Sequence, residues 1–297
     1  MSQQQPHVVR EIRRQPETWA QALGLLPGVR DVLPRTGERV AVLGCGTSWF
    51  MAMAYAGLRE AAGEGETDAF AASRFPAGRR YDRVLVISRS GTTTEVLRAI
   101  ERADAPVTAV TALKDGPVAR AAREVIVLDF ADERSVVQTL FATTTLMLLR
   151  GSLGEPLDEV IEQAAGALDA ELPGDVENAG QFTFLGDGWR YGTSLEAALK
   201  MREGARLWTE AYPQLEYRHG PISIAEAGRV VWLFGAPAPG LVADIAATGA
   251  TVVADELDPV ADLVRVQALT VRRALAAGFD PDRPRSLTRS IVLDEPA

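Results

Sequence analysis

The sequence predicts an α/β protein made of two tandem, doubly wound domains, each with a parallel sheet flanked by helices. Short apolar runs alternate with helical segments along most of the 297 residues, as is typical of parallel strands buried on both faces. The pattern also restarts: residues 40–63 and 182–204 both contain an apolar strand, Leu-Gly-x-Gly and an alanine-rich helix. Gly186 follows Gly44 by 142 residues, a spacing that favours a duplicated domain over a solenoid repeat.

Taken in order, the chain begins with a helical lead-in over residues 8–33, interrupted at Pro16 and Gly24. Strands are predicted at 40–43, 84–87, 107–111, 125–128, 182–185 and 229–234. Helices are predicted at 49–62, from 95, and at 117–123, 133–149, 193–208 and 259–278. The corresponding domain boundaries are 1–34 for the lead-in, 35–155 for the first domain and 172–297 for the second.

Composition excludes several classes of function. The net charge of −9 argues against a nucleic-acid partner held through phosphate contacts. No apolar run has the length of a membrane span, and residues 1–6 lack the apolar core of a signal peptide. A single cysteine cannot form an internal disulfide and favours a reducing compartment, so we expect a cytoplasmic protein. One cysteine and two histidines are too few for a zinc-type cluster, and we expect neither a metal nor a cofactor.

The loop that follows the strand at 84–87 has the composition of an anion site. It contains Ser88, Arg89, Ser90, Gly91 and three threonines, and a helix begins directly after it. The first N–H groups of a helix have no intrahelical partner and favour negative charge. An ordinary helix cap needs one or two hydroxyls, so this richer loop predicts phosphate binding, with Arg89 either adding charge or facing solvent.

A second glycine turn, Gly44-Cys45-Gly46-Thr47-Ser48, joins the strand at 40–43 to its helix. Glycines allow a tight turn and a close approach to a ligand, and a plain turn explains them equally well. In the second half the loop after the strand at 229–234 is Gly-Ala-Pro-Ala-Pro-Gly. Proline removes N–H donors, so only the first half keeps the predicted anion site.

The second half carries titratable side chains instead. Glu196, Lys200 and Glu203 share one helix face. An exposed ion pair is the commoner explanation of that spacing. The surrounding alanines and Gly204 favour a helix that is packed against another element. His219 lies in a loop and could be structural. Glutamate and histidine are the usual proton-transfer pair near neutral pH, which suggests enolisation of a sugar phosphate.

Together these motifs resemble double SIS-domain (sugar isomerase) proteins, as in the isomerase half of glucosamine-fructose-6-phosphate aminotransferase, phosphosugar deaminases and fructosamine 6-phosphate deglycases. The resemblance covers nearly the whole chain and implies two flavodoxin-like domains. The motifs that carry it are Gly44-Cys45-Gly46-Thr47-Ser48, Ser88-x-Ser90-Gly91-x-Thr93, Glu133 with Gln138-Thr139, Leu195-Glu196-x-Ala198-Leu199-Lys200-x-x-Glu203, and Glu210-Ala211-Tyr212 with His219-Gly220-Pro221.

The resemblance implies a role for each motif residue. The sugar 6-phosphate would be held by Ser48, Ser88, Arg89, Ser90 and Thr93, with Arg89 acting mainly through its backbone where the family often has glutamine. The sugar side would be lined by Gly46, Thr47, Ser135, Val136, Gln138 and Arg289.

The resemblance also implies the chemistry. Glu203 would move a proton between C1 and C2, supported by Lys200 and Glu196. His219 would assist ring opening from the neighbouring subunit, which implies a homodimer.

Two departures from the family narrow the activity. The chain starts directly in the sugar domain, so we expect no ammonia from glutamine. Arg289 replaces a lysine that forms an imine with the ketose, and arginine cannot form that imine. Isomerisation, deamination or deglycation of a sugar 6-phosphate follows. The alternative is a non-catalytic sugar-phosphate sensor or scaffold subunit.

Overall fold

The computed structural model describes residues 5–76 and 78–293. Residues 1–4, part of the polar start of the chain, lie outside the described residues. The chain divides into two compact units, which we name by their sheets. The five-stranded unit comprises Glu17–Leu157 and Ser286–Ala297, and the four-stranded unit comprises Met1–Pro16 and Asp158–Arg285.

The five-stranded unit is built from alternating strands and helices. Its strands are β1 (Val40–Gly44), β2 (Thr67–Ala71), β3 (Arg83–Ser88), β4 (Val107–Thr111) and β5 (Glu124–Val127). Its helices are most of α2 (Gln15–Val29), then α3 (Thr47–Ala61), α4 (Thr94–Glu101), α5 (Pro117–Ala121) and α6 (Leu140–Ser152); the preceding helix α1 (His7–Arg13) belongs to the other unit.

All described strand pairs in this unit are parallel, in the order β2-β1-β3-β4-β5. The central strands are apolar on both faces, because helices cover the sheet on both sides. One core cluster contains Leu43, Val86 and Ala109 from three neighbouring strands. The loops after β1 and β3 therefore lie side by side at the carboxyl edge of the sheet, where ligands bind in open α/β folds.

The four-stranded unit repeats this plan with one strand fewer. Its strands are β6 (Gln181–Gly186), β7 (Trp208–Tyr212), β8 (Arg229–Phe234) and β9 (Thr251–Ala254), and its later helices are α7 (Asp158–Ala167), α8 (Arg190–Lys200), α9 (Leu241–Ala246) and α10 (Pro259–Ala276). The sheet is parallel with the order β7-β6-β8-β9. Aromatic side chains of β6 and β8 fill its core, with Phe184 and Trp232 ring centroids 6.3 Å apart.

The predicted fold class is confirmed: two parallel sheets are flanked by helices. The domain boundaries drawn from the sequence stay a prediction. Within the described residues, no helix combines the length and apolar character needed to cross a membrane.

Two helix predictions were wrong in extent. The helix predicted at 133–149 begins only at Leu140, because the Glu133 carboxylate folds back to accept the first N–H groups of α6. The helix predicted at 193–208 ends at Lys200; a π-helical turn, Met201–Ala205, follows, and then the edge strand β7.

Candidate functional site

The loop between β3 and α4 holds several hydroxyls in the five-stranded unit. Ser90 Oγ lies 3.3 Å from Thr93 Oγ1 and 3.4 Å from the Thr92 backbone N. Ser88 is 4% exposed, and its hydroxyl has no hydrogen-bond partner among the described residues. A buried hydroxyl without a partner is costly, so this loop retains a donor that a ligand can satisfy.

Gly91 allows the loop to turn. Its φ of +62° lies in the left-handed region, and an added Cβ would lie 3.1 Å from Thr111 Oγ1. Its backbone is held on both sides: Gly91 N donates to Ser88 O at 3.3 Å, and Gly91 O accepts from Val118 N at 2.9 Å. The glycine and these bonds fix the shape of the loop before any ligand binds.

The adjacent turn after β1 is built in the same way. A Cβ on Gly44 would lie 2.4 Å from the Ser48 backbone carbon, and Gly46 has a φ of +54°. Thr47 and Ser48 are buried at the start of α3. Burial, with a smaller contribution from Glu95, raises the pKa of the Cys45 thiol to about 11, so this thiol is protonated at neutral pH and is a poor nucleophile.

Arg89 is buried, and its guanidinium faces the protein. It donates to the backbone oxygens of Ser135 at 3.1 Å and Val136 at 3.3 Å, and it lies 3.7 Å from the Glu133 carboxylate. That carboxylate also accepts the N–H of Leu140 at 2.8 Å. The charge of Arg89 is therefore balanced within the unit. The alternative of a solvent-facing side chain was wrong, because the guanidinium is buried against these backbone acceptors.

The segment predicted to line the sugar side lies directly beyond this arginine. Ser135 Oγ donates to Val137 O at 2.9 Å, which fixes the segment internally. The Gln138 Oε1 atom is buried and has no hydrogen-bond partner among the described residues. Arg289 donates to the Asp132 carboxylate and to the Glu133 backbone oxygen, so its guanidinium anchors the C-terminal segment to this part of the unit.

The four-stranded unit contains a buried cluster of charged side chains. Lys200 is 1% exposed, and its Nζ lies 2.5 Å from Glu203 Oε2 and 3.5 Å from Glu196 Oε1. Glu196 is fully buried, whereas the Glu203 side chain keeps 18% exposure. The exposed ion pair that spacing alone favours is thereby excluded. The arrangement is a buried lysine that supports one accessible carboxylate.

An irregular backbone places that carboxylate. Glu203 lies in the π turn Met201–Ala205, which ends at Arg206 in the left-handed conformation, with φ of +55°. Single π turns occur frequently at functional sites. Gly204 packs so closely on α10 that an added Cβ would lie 2.5 Å from Thr270 Cγ2. Contact with α10 therefore positions the turn that carries Glu203.

His219 lies elsewhere in this unit, at the end of the short turn Glu216–His219, and its side chain is exposed. Gly220 follows with φ of +134°. Among the described residues there is no group of three or more potential metal-ligating side chains. The groups available for chemistry here are thus carboxylates, one lysine and one imidazole.

Sequence reasoning found the main clusters and missed their supporting residues. It did not identify Asp132, Thr92 or Ser290 as contacts of the loops. Thr92 is one of the hydroxyls in the loop and could have been named from composition. The Asp132 and Ser290 contacts join residues 157 and 200 positions apart, for which a single sequence gives no signal.

Comparisons with known proteins agree with this architecture. The chain is 28% identical to an isomerizing glutamine–fructose-6-phosphate aminotransferase of Methanothermobacter thermautotrophicus, over 98% of this chain and 56% of that protein. The chain thus spans little more than half the length of this curated relative. No family model matches the chain.

Solved structures show the same fold. A glucosamine-6-phosphate deaminase from Thermotoga maritima superposes with a TM-score of 0.80 and 23% identity, over 97% of this chain and all of the other. The C-terminal domain of glucosamine-fructose-6-phosphate aminotransferase from Francisella tularensis gives a TM-score of 0.80 and 20% identity, over 95% and 99% of the two chains. At these identities the likenesses show that the chain shares the fold of both structures.

Proposed function

We propose that this protein moves a proton between C1 and C2 of a sugar or amino-sugar 6-phosphate, as an isomerase, a deaminase or a fructosamine 6-phosphate deglycase. The observation that carries the proposal is the buried Glu196–Lys200–Glu203 cluster, which leaves only Glu203 accessible. A carboxylate held by a buried lysine is oriented for proton abstraction, and oriented bases contribute about 10²–10⁴-fold to rate.

The phosphate end of the substrate is assigned to the loop after β3. Ser88 supplies a hydroxyl donor without a competing partner among the described residues. Ser90 and Thr93 lie 3.3 Å apart and Ser90 donates to Ser290, so these two residues would contribute through a hydroxyl network at the loop. Phosphate binding of this kind positions the reacting carbons, because binding energy from a remote group is used for orientation. Ser48 would contribute from the neighbouring turn.

The relatives favour this reaction class over simple binding. The T. maritima protein is named as a deaminase of glucosamine 6-phosphate and the M. thermautotrophicus protein as an isomerizing aminotransferase of fructose 6-phosphate. We infer that Arg289 excludes an imine with the ketose here, which leaves substrates that bring their own amine or need only isomerisation.

We also infer a cytoplasmic homodimer in which His219 assists ring opening in the neighbouring subunit. The exposed position of His219 on a short turn supports its use by a second copy of the chain. A single cysteine is consistent with a reducing compartment.

Proton NMR in D₂O tests the proposal. Wild-type protein should introduce deuterium at C1 or C2 of fructose 6-phosphate, glucosamine 6-phosphate or a fructosamine 6-phosphate, or convert one of them. Glu203→Gln should slow this by about 10²–10⁴-fold while sugar-phosphate binding persists. Glu256→Gln, at an exposed carboxylate of the same unit, is the matched control and should retain wild-type rates.

Full activity of Glu203→Gln would overturn the assignment of the base. If no compound exchanges deuterium but the same compounds raise the melting temperature, the protein is a sugar-phosphate sensor or scaffold subunit instead.

A further inference from the structure

The C-terminal segment 286–293 reaches the anion loop of the five-stranded unit. Ser290 Oγ accepts hydrogen bonds from Thr92 Oγ1 at 2.8 Å and from Ser90 Oγ at 3.1 Å. A hydroxyl from the end of the chain is therefore bonded to two hydroxyls of the loop to which we assign the substrate phosphate.

Backbone contacts hold this segment at the start of α4. Thr94 N donates to Ile291 O at 3.3 Å, and Leu293 N donates to Thr94 Oγ1 at 2.9 Å. The first of these bonds uses an N–H of the helix N-terminus that an anion would otherwise attract. The segment removes one donor from the anion site and brings the Ser290 hydroxyl to the same place.

The residue before Ser290 is fixed from two directions. The Arg89 guanidinium donates to Arg289 O at 3.1 Å, and the Arg289 side chain donates to Asp132 and to Glu133 O. Arg89 also holds the oxygens of Ser135 and Val136. These hydrogen bonds fix the backbone next to Ser290 and so fix the position of the Ser290 hydroxyl.

We propose that Ser290 is a phosphate ligand, which completes the anion site from the C-terminal segment; this inference rests on the proposed function. Its oxygen accepts two hydrogen bonds, and no described residue accepts its own proton. A hydroxyl that accepts two bonds is polarised and becomes a better donor. A phosphate oxygen in the loop would accept that proton, and the hydrogen bond would be charge-assisted.

Calorimetric titration of the full chain tests this role with fructose 6-phosphate, glucosamine 6-phosphate and inorganic phosphate as probes. Ser290→Ala should weaken all three by a similar factor, about 10- to 100-fold, because one hydrogen bond to a charged group is lost. Ser290→Thr keeps the hydroxyl and should remain within about threefold of wild type. Ser286→Ala makes the same change at an exposed position of the same segment and should leave binding unchanged.

The outcomes separate this inference from the proposed function. If Ser90→Ala weakens binding and Ser290→Ala does not, the Ser290 role is wrong while the phosphate loop stands. Tighter binding by Ser290→Ala would show that the serine blocks the site and would also overturn the inference. A loss confined to the two sugars would mean that Ser290 contacts the sugar and not the phosphate. If wild type binds no sugar phosphate, the proposed function fails together with this inference.

Discussion

The loops after β3 and β8 occupy matching places in two sheets of similar strand order, and they are satisfied in opposite ways. After β3, the Ser88 hydroxyl has no partner among the described residues. After β8, one side chain serves the backbone: Gln214 Nε2 donates to Ala236 O at 3.1 Å, and Ala238 N donates to Gln214 Oε1 at 2.7 Å. The fold supplies the loop, and the residue types decide whether its polar groups remain available to a ligand.

A second side chain fills the loop after β8. Gly235 has a φ of +76°, and an added Cβ would lie 2.5 Å from Arg190 Nε. Arginine therefore packs directly over the glycine at the carboxyl edge of this sheet. In the four-stranded unit, Arg190 and Gln214 thus occupy the loop position that carries hydroxyls in the five-stranded unit.

α3 follows β1 and α8 follows β6, and of these two helices it is the one in the four-stranded unit that carries the charged side chains. Glu196, Lys200 and Glu203 on and after α8 have apolar counterparts 142 residues earlier, namely Ala54, Leu58 and Ala61 on α3. α3 stays regular to its end, whereas α8 passes into the π turn. The five-stranded unit thus carries its polar groups in the loop after β3, and the four-stranded unit carries its charged groups on and after α8.

The largest effect that we expect from this contrast concerns the sheet cores. Trp232 on β8 donates from Nε1 to the buried carboxylate of Asp262 at 2.7 Å, whereas Leu85 at the matching place on β3 is apolar. Burial, with a smaller contribution from Asp255, raises the pKa of Asp262 to about 7. This pKa is reached against the opposing effects of Trp232 and of the Arg265 guanidinium, which lies 3.1 Å from the carboxylate. The folded protein therefore holds a proton that the unfolded chain releases near pH 4.

The sign of the pH dependence follows from linkage. Because the folded pKa is the higher one, the contribution of Asp262 to stability is complete below about pH 4 and is lost as pH rises through 7. Between pH 5 and pH 8 the loss is on the order of 2–3 kcal/mol. Urea unfolding of wild type and Asp262→Asn should show this decline only in the wild type. Parallel curves for the two proteins would mean that Asp262 is ionised throughout.

The next effect concerns the π turn. Gly204→Ala should push the turn away from α10, because its Cβ would meet Thr270 Cγ2 at 2.5 Å. A displacement of about 1 Å at a catalytic group costs roughly 10²-fold in rate, so we expect that loss in kcat for the exchange reaction with little change in phosphate binding.

A second substitution should reverse this loss. Thr270→Ser removes the clashing methyl and keeps the hydroxyl that donates to Val266 O at 2.8 Å. Thr270→Ser alone should be close to wild type, and adding it to Gly204→Ala should restore most of the activity. If the double variant is as impaired as Gly204→Ala, contact with α10 does not position Glu203.

The sequence predicts the fold well where strands are continuous apolar runs. β1, β3, β4 and β8 are recognised because each is buried on both faces. β2, β7 and β9 were not predicted: β2 has the mixed sequence Thr-Asp-Ala-Phe-Ala, β7 has the mixed sequence Trp-Thr-Glu-Ala-Tyr, and β9 is a run of only four residues, Thr-Val-Val-Ala. At such edges pairing with a neighbouring strand decides the conformation, and local pattern does not report that pairing.

The candidate site residues also divide into those that a local motif indicates and those that depend on long-range contacts. Local motifs make Ser90, Lys200 and Glu203 candidates, because each belongs to a short run with a recognisable spacing. The inward direction of Arg89, the acceptor Asp132 and the contact of Ser290 depend on residues far apart in the chain. Tertiary contacts of this kind are fixed by packing, so composition and periodicity leave them undetermined.

The smallest effects that we expect concern the loops after β3 and β8. Ser88→Ala removes a buried hydroxyl that no described residue satisfies, so without ligand it should raise stability by about 1 kcal/mol. The same change should weaken phosphate binding about tenfold, because a donor to the anion is lost. Gln214→Ala should act in the opposite direction and lower stability by about 1–3 kcal/mol, since it leaves Ala236 O and Ala238 N without their partner.

Urea unfolding in phosphate-free buffer, together with phosphate titrations, measures both variants. Gln214→Ala should not create a second phosphate site, because prolines remove donors from the loop after β8. If Ser88→Ala is as destabilising as Gln214→Ala, the Ser88 hydroxyl is already satisfied in the free protein. The two loops would then differ in composition but not in availability to a ligand.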